Sequence, residues 1–128
     1  MRRVFRIRTF TRWMRGSGLT DSALSIAVSE MADGLIDADL GGHVFKKRVA
    51  LPGRGKRGGA RTIVAAKLPD RWFFLFGFEK NERTNIDNDE LRMLREIAGE
   101  LLGFNDRKLA EAIANNEIVE VLDESNKT

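Results

Sequence analysis

Trp72-Phe73-Phe74-Leu75-Phe76 sets five bulky apolar side chains on consecutive positions, and nothing else in the chain limits the fold so tightly. A strand with one wet face alternates apolar and polar residues, so a run that is apolar on both faces marks a central strand covered on each side. A neighbouring strand is read upstream in Thr62-Ile63-Val64-Ala65-Ala66, joined to it by Leu68-Pro69-Asp70-Arg71 as a tight hairpin. A further strand precedes both. There Phe45, Val49 and Leu51 alternate with Lys46, Arg48 and Ala50, giving one mostly apolar face and one with two cations.

The flanking segments add helices and two short strands. Val4 to Phe10 alternates as a strand would, with Arg6 and Arg8 opposite Phe5 and Ile7, and Thr11 to Arg15 reads as a helical turn stopped by Gly16-Ser17-Gly18. Thr20 suits the N-cap of a helix running to about Asp33, with Leu24, Ala27, Val28 and Met31 on one face and Gly34 at its end. Asp87-Asn88-Asp89-Glu90 has the form of a capping box, and Leu91, Leu94, Ala98 and Leu101 follow at helical spacing up to Gly103. A short helix over Asp106 to Ala114 and an edge strand over Ile118 to Leu122 complete the order. At 128 residues the chain fits a single domain over 1–128, with its core at about 4–122 and residues 123–128 expected to be flexible.

Charge is distributed unevenly. Residues 1–83 hold 17 Lys and Arg against 8 Asp and Glu, whereas residues 84–128 hold 5 against 11. The densest basic stretch runs from Lys46 to Arg61, where seven cations, four glycines and no acidic residue occupy sixteen positions between two strands. Glycine lets backbone lie close to a ligand while long cationic side chains reach past it, so a polyanion, foremost nucleic acid, is the expected partner. The acidic C-terminal part could shield that surface, attract a cationic partner, or be the solvated face of a helix pair.

Several chemistries are set aside on composition. Without cysteine there are no disulfides, thiolate metal sites or cysteine nucleophiles, and a single histidine gives little basis for a metal centre. No apolar run approaches the ~20 residues that span a bilayer, and the Arg-rich N-terminus lacks an apolar signal core, so the cytoplasm is the expected compartment. Gly53, Gly55 and Gly58 match G-x-G-x-x-G in letters, yet they lead into β-branched Thr62-Ile63-Val64 rather than a helix; Lys56 is followed by Arg57 rather than Ser or Thr, which excludes a P-loop. His43, next to Gly42, reads as a turn or edge residue. Phe73, Phe74, Phe76 and Phe78 read as core, while Trp13 and Trp72, each beside an arginine, remain open to stacking on RNA.

Four segments taken together resemble the RelE/HigB-like toxins of type II toxin–antitoxin systems. They are Asp39-Leu40-Gly41-Gly42, then Lys47-Arg48-Val49-Ala50-x-Pro52-Gly53-Arg54-Gly55-Lys56, then Gly58-Gly59-x-Arg61-Thr62-Ile63-Val64, and Phe74-x-Phe76-Gly77-Phe78-x-Lys80-Asn81-Glu82-Arg83-x-Asn85-Ile86. The resemblance implies an α+β fold: a small twisted, mainly antiparallel sheet with N-terminal helices packed on it and C-terminal helices, in accord with the element order above. It also implies a metal-independent, cofactor-free endoribonuclease that cuts mRNA on the ribosome, inhibits translation, and is neutralised by an antitoxin protein. Such chemistry must activate a ribose 2′-OH, stabilise the phosphorane and protonate the leaving 5′-oxygen, and without a metal Lys and Arg must supply most of it.

On this resemblance Arg61, Lys80 and Arg83 are the catalytic candidates, with Arg61 expected at the mouth of its strand. Lys46, Lys47, Arg48, Arg54, Lys56 and Arg57 are the RNA-binding candidates. Several relatives use a tyrosine or histidine near the scissile phosphate; this chain has no tyrosine, and His43 matches no family motif. Two alternatives share the fold or the charge: a ParE-like inhibitor of DNA gyrase, and a non-catalytic RNA-binding module.

Overall fold

The computed structural model describes residues 2–53, 55–67 and 70–122, without the side chains of residues 56 and 57. The chain order is β1 (Arg3–Ile7), α1 (Arg8–Arg15), α2 (Asp21–Ala32), β2 (Ala38–Asp39), β3 (Val44–Leu51), β4 (Gly55–Lys67), β5 (Arg71–Glu79), α3 (Asn88–Leu102), α4 (Asp106–Ala114) and β6 (Ile118–Val121). The strands form one sheet in the order β2-β3-β4-β5-β1-β6. Among the described residues only the β1–β5 pairing is parallel, so the sheet is mainly antiparallel, as expected. No helix among the described residues is long and apolar enough to cross a membrane.

Burial follows from the apolar run. Trp72, Phe74, Val64 and Val49 face α1 and α2, where Phe10, Met14, Leu24, Val28 and Met31 cover them. Phe73, Leu75, Ile63 and Phe5 face the other way, against Leu94, Ala98 and Leu101 of α3 and Leu109 and Ala112 of α4. Each helix start has a physical reason. Thr20 accepts from Ala23 N–H at 3.1 Å at the head of α2, and Asp87 and Glu90 close a reciprocal capping box at the head of α3.

Two boundaries differ from the sequence reading. The first strand ends at Ile7 and the helix begins at Arg8, because Phe10, Trp13 and Met14 at helical spacing pack α1 onto the sheet; Ile7 provides no side-chain cap that would announce this start. The glycine-rich basic segment is also not a long loop. Its second half is strand, since β4 begins at Gly55, and Arg61 therefore lies inside β4 rather than at its mouth. Gly59 makes this possible: a Cβ there would come within 2.2 Å of the Val49 carbonyl oxygen, at the point where the β3–β4 register shifts. The expected turn at Leu68-Pro69 lies outside the described residues, although Lys67 pairs with Arg71 as the ends of a hairpin would.

A second irregularity shapes the site. Ile63 pairs with Phe76 but Val64 pairs with Phe74, so Leu75 is an extra residue in β5. Such a bulge places Leu75 and Phe76 toward the same face and turns the alternation over for the rest of the strand. Gly77 consequently falls beneath α1 and Phe78 toward the α3 side.

Candidate active site

Cross-strand register decides which cations meet. Arg48 of β3 is the partner of Arg61 in β4, and Arg61 is in turn the partner of Phe78 in β5. Two residues along, Lys46, Ile63 and Phe76 form the next row on the same face. Toward the other end of these strands that face is covered by α3 through Val44, Ile63, Ala65 and Phe73. Beyond the helix the rows that remain carry Lys46, Arg48 and Arg61.

Arg83 enters this face from the turn after β5. Its guanidinium lies 5.7 Å from the Phe76 ring centre and 5.9 Å from that of Phe78, so the two aromatics form a platform under the cation. Arg83 donates to Glu90 from Nη1 at 2.8 Å and from Nη2, and from Nε to the Asn85 carbonyl oxygen at 3.0 Å. The Glu90 carboxyl is held below the usual carboxylate range, first by the Arg83 hydrogen bond and then by the Asp87 backbone N–H. Glu90 thereby ties the cation to the α3 capping box.

Arg61 is nine-tenths buried and donates from Nη1 to the Gly59 carbonyl oxygen at 3.2 Å. Arg48 is half-exposed, its Nε 3.7 Å from Asp37 Oδ1. Lys80 is exposed in the turn and has no hydrogen bond or ion pair with the described residues. Glu82 shapes that turn without pairing a lysine or arginine among the described residues: it accepts from the Glu79 N–H at 2.7 Å and from Trp13 Nε1 at 3.3 Å.

Several expected site residues lie elsewhere. Lys47 points to the opposite face, where it is 2% exposed, 3.1 Å from Glu30 Oε1 and 2.8 Å from the Leu35 carbonyl oxygen, so its ammonium is committed to holding α2 on β3. Arg54 lies outside the described residues, as do the side chains of Lys56 and Arg57, whose backbone belongs to β4. Trp72 is buried in the core, and Trp13 covers Gly77, so both are packing residues. His43 precedes β3 in a left-handed turn with φ of 64°, at the end of the strand remote from Arg48. Five residue steps along the strand separate the two, about 16 Å.

Sequence alone did not reveal the Phe76–Phe78 platform, since both read as core, nor the Arg83–Glu90 pair, which joins a turn to a helix cap. A spacing of seven residues between opposite charges carries no strand or helix signal on its own.

A family model described as the RelE toxin of the RelE/RelB toxin–antitoxin system matches residues 2–121, nearly the entire chain. No curated protein matches alongside it.

Proposed function

The chain belongs to the RelE toxin family, and from that premise we propose that it is a metal-independent endoribonuclease that cleaves mRNA, on the ribosome, to arrest translation. Membership implies an antitoxin partner. The observation that carries the nuclease reading is the convergence of Arg48, Arg61 and Arg83 on one sheet face beside an aromatic platform. A purely gyrase-binding surface has no need of clustered phosphate forks.

In the proposed reaction the ribose 2′-oxygen attacks the adjacent phosphorus, its proton is removed, and the P–O5′ bond breaks. The products are a 2′,3′-cyclic phosphate and a 5′-hydroxyl that has taken up a proton. Arg61 and Arg83 are assigned to the phosphorane oxygens, because guanidinium forks are fixed before the charge develops: Arg61 by burial in β4, Arg83 by Glu90. Lys80, exposed and without a partner among the described residues, is assigned to the scissile phosphate or the leaving oxygen. Lys46 and Arg48, with Arg54, Lys56 and Arg57 from the rest of the basic segment, are assigned to flanking phosphates. Lys47 is left out of this set because Glu30 and Leu35 hold it.

The test is primer-extension mapping of transcripts after brief induction, with Arg61→Ala and Lys80→Ala beside the parent. New 5′ ends in translated regions are expected from the parent and should fall by roughly 10²–10³-fold in rate in each variant, the loss seen when one charge-stabilising donor is removed. Because Arg61 is buried, its alanine variant should also lose about 1–3 kcal/mol of stability, so Arg61→Lys, which keeps the charge without the fork, accompanies it. Cleavage that persists in the Arg61 and Lys80 variants refutes the assignment. Arrest without cleavage, together with inhibited supercoiling, transfers the reading to gyrase.

A further inference from the structure

We infer that the outer face of α1 is a second phosphate-binding surface, one that holds the RNA backbone away from the reacting face; this rests on the reading that the substrate is RNA. Arg8, Arg12 and Arg15 recur at intervals of four and three residues, which sets them on one stripe of the helix over about 10 Å. Together with Thr11, Asn116 and Val119 they line a cavity of about 310 Å³ beside the edge strand β6. Arg8 is anchored there, donating to the Asn115 and Asn116 carbonyl oxygens at 3.4 and 3.3 Å. Arg12 and Arg15 are exposed and have no hydrogen bond or ion pair with the described residues. The Thr11 hydroxyl oxygen is buried and has no hydrogen-bond partner among the described residues.

The exposed guanidinium forks of Arg12 and Arg15, with no acceptor among the described residues, form a donor set, and a phosphate supplies several acceptor oxygens in one tetrahedral group. The stripe consists of arginine alone, which suits phosphate oxygens bidentately. Its position also favours nucleic acid over an acidic protein. Because β1 and β5 run parallel, α1 leaves β1 at the end of the sheet toward which β5 runs, and β5 continues past the level of Ile7, since Arg6 pairs with Phe74, to the turn that carries Lys80 and Arg83. Trp13 of α1 bonds Glu82 of that turn. A single strand engaged by Arg61 and Arg83 on the α3 side of the sheet reaches α1 by passing around this turn.

The experiment compares the salt dependence of binding of a labelled single-stranded RNA to the full chain, to Arg12→Gln/Arg15→Gln and to Arg12→Lys/Arg15→Lys. Two lost phosphate contacts should reduce the log–log slope by about 1.4 in the glutamine pair, at about 0.7 per phosphate, and KM for cleavage should rise with the loss of affinity. The lysine pair should keep the slope. An unchanged slope in the glutamine pair overturns the inference, and so does an equal fall in the lysine pair, which would indicate a structural effect. If a poly-glutamate peptide, and not RNA, loses binding in the glutamine pair, the surface serves an acidic protein and the inference fails. If the slope falls as expected but no form of the protein cleaves RNA, the surface stands and the nuclease reading falls instead.

Discussion

Gly77→Ala offers the most direct test of how α1 holds the active turn. An ideal Cβ at Gly77 would stand 2.3, 2.5 and 2.8 Å from three ring carbons of Trp13, against the 3.5–4.0 Å of ordinary carbon contact. The ring would have to retreat by more than about 1 Å. Its freedom to do so is limited, because it packs on Phe10 with centroids 5.5 Å apart and its Nε1 donates to Glu82. Overpacking of this kind costs about 1–3 kcal/mol, and a broken hydrogen bond adds about 1. The total of about 2–4 kcal/mol should lower Tm by roughly 10 °C in a domain of this size. Alanine's backbone requirements do not contribute, since Gly77 lies outside the left-handed region. The assay is urea denaturation of a double-mutant cycle with Trp13→Ala. In that background the ring is gone, so the added methyl should be neutral or stabilise by about 0.4–1 kcal/mol through the unfolded chain. The coupling should therefore reach at least about 2 kcal/mol. Equal costs of Gly77→Ala in both backgrounds would refute the reasoning, because the ring would then not be the obstacle. Since Glu82 also binds the Glu79 N–H, the single variant should weaken RNA cleavage by loosening the turn that bears Lys80 and Arg83.

Two further outcomes separate packing from charge. Lys47→Met removes the buried ammonium that meets the Glu30 carboxylate and the Leu35 carbonyl, so the urea midpoint should fall by the equivalent of about 2–4 kcal/mol, while the salt slope of RNA binding stays at the parent value; a reduced slope would return Lys47 to the RNA surface. Glu90 has a folded pKa below its unfolded value, so the stability it contributes is fully present above the unfolded pKa of about 4.3 and disappears as pH falls through the folded one. Thermal melts of Glu90→Gln and parent should accordingly differ at neutral pH and converge in the acid range, and a constant difference down to pH 2–3 would show that the carboxylate's charge is not what Arg83 recognises.

How much of this was legible in advance depended on the range of the interactions. The apolar run at 72–76 established a central, doubly covered strand because burial on both faces leaves no polar alternation to find. The helices over 21–32 and 88–102 were legible because caps and periodicity are local: Thr20, Asp87 and Glu90 each satisfy backbone N–H groups within three residues. The start of α1 was hidden, since Phe5-Arg6-Ile7-Arg8 alternates across the helix boundary and Ile7 offers no side-chain cap to mark it. The basic segment read as a loop for a related reason. Glycines are depleted in strands, and only the close approach of Gly59 to the Val49 carbonyl shows why glycine is needed inside one.

The candidate site divides along the same line. Lys46 and Arg48 were assigned to one face from period two alone, and the structure agrees for that strand because no bulge interrupts it before Val49. Lys47 sits between two outward cations, and its neighbours in sequence gave no sign that Glu30, seventeen positions upstream on another element, would hold it inward. The β5 bulge has the larger consequence. With strict alternation through residues 72–78, Phe76 and Phe78 would share a face with Phe74, under α1, and Gly77 would face α3. The extra residue Leu75 reverses this, setting the aromatic pair beneath Arg83 and the glycine beneath Trp13. One inserted residue thus forms the floor of the reacting face and the seat for α1 together, and it is visible only in the register between strands, where Ile63 and Val64 meet residues two apart.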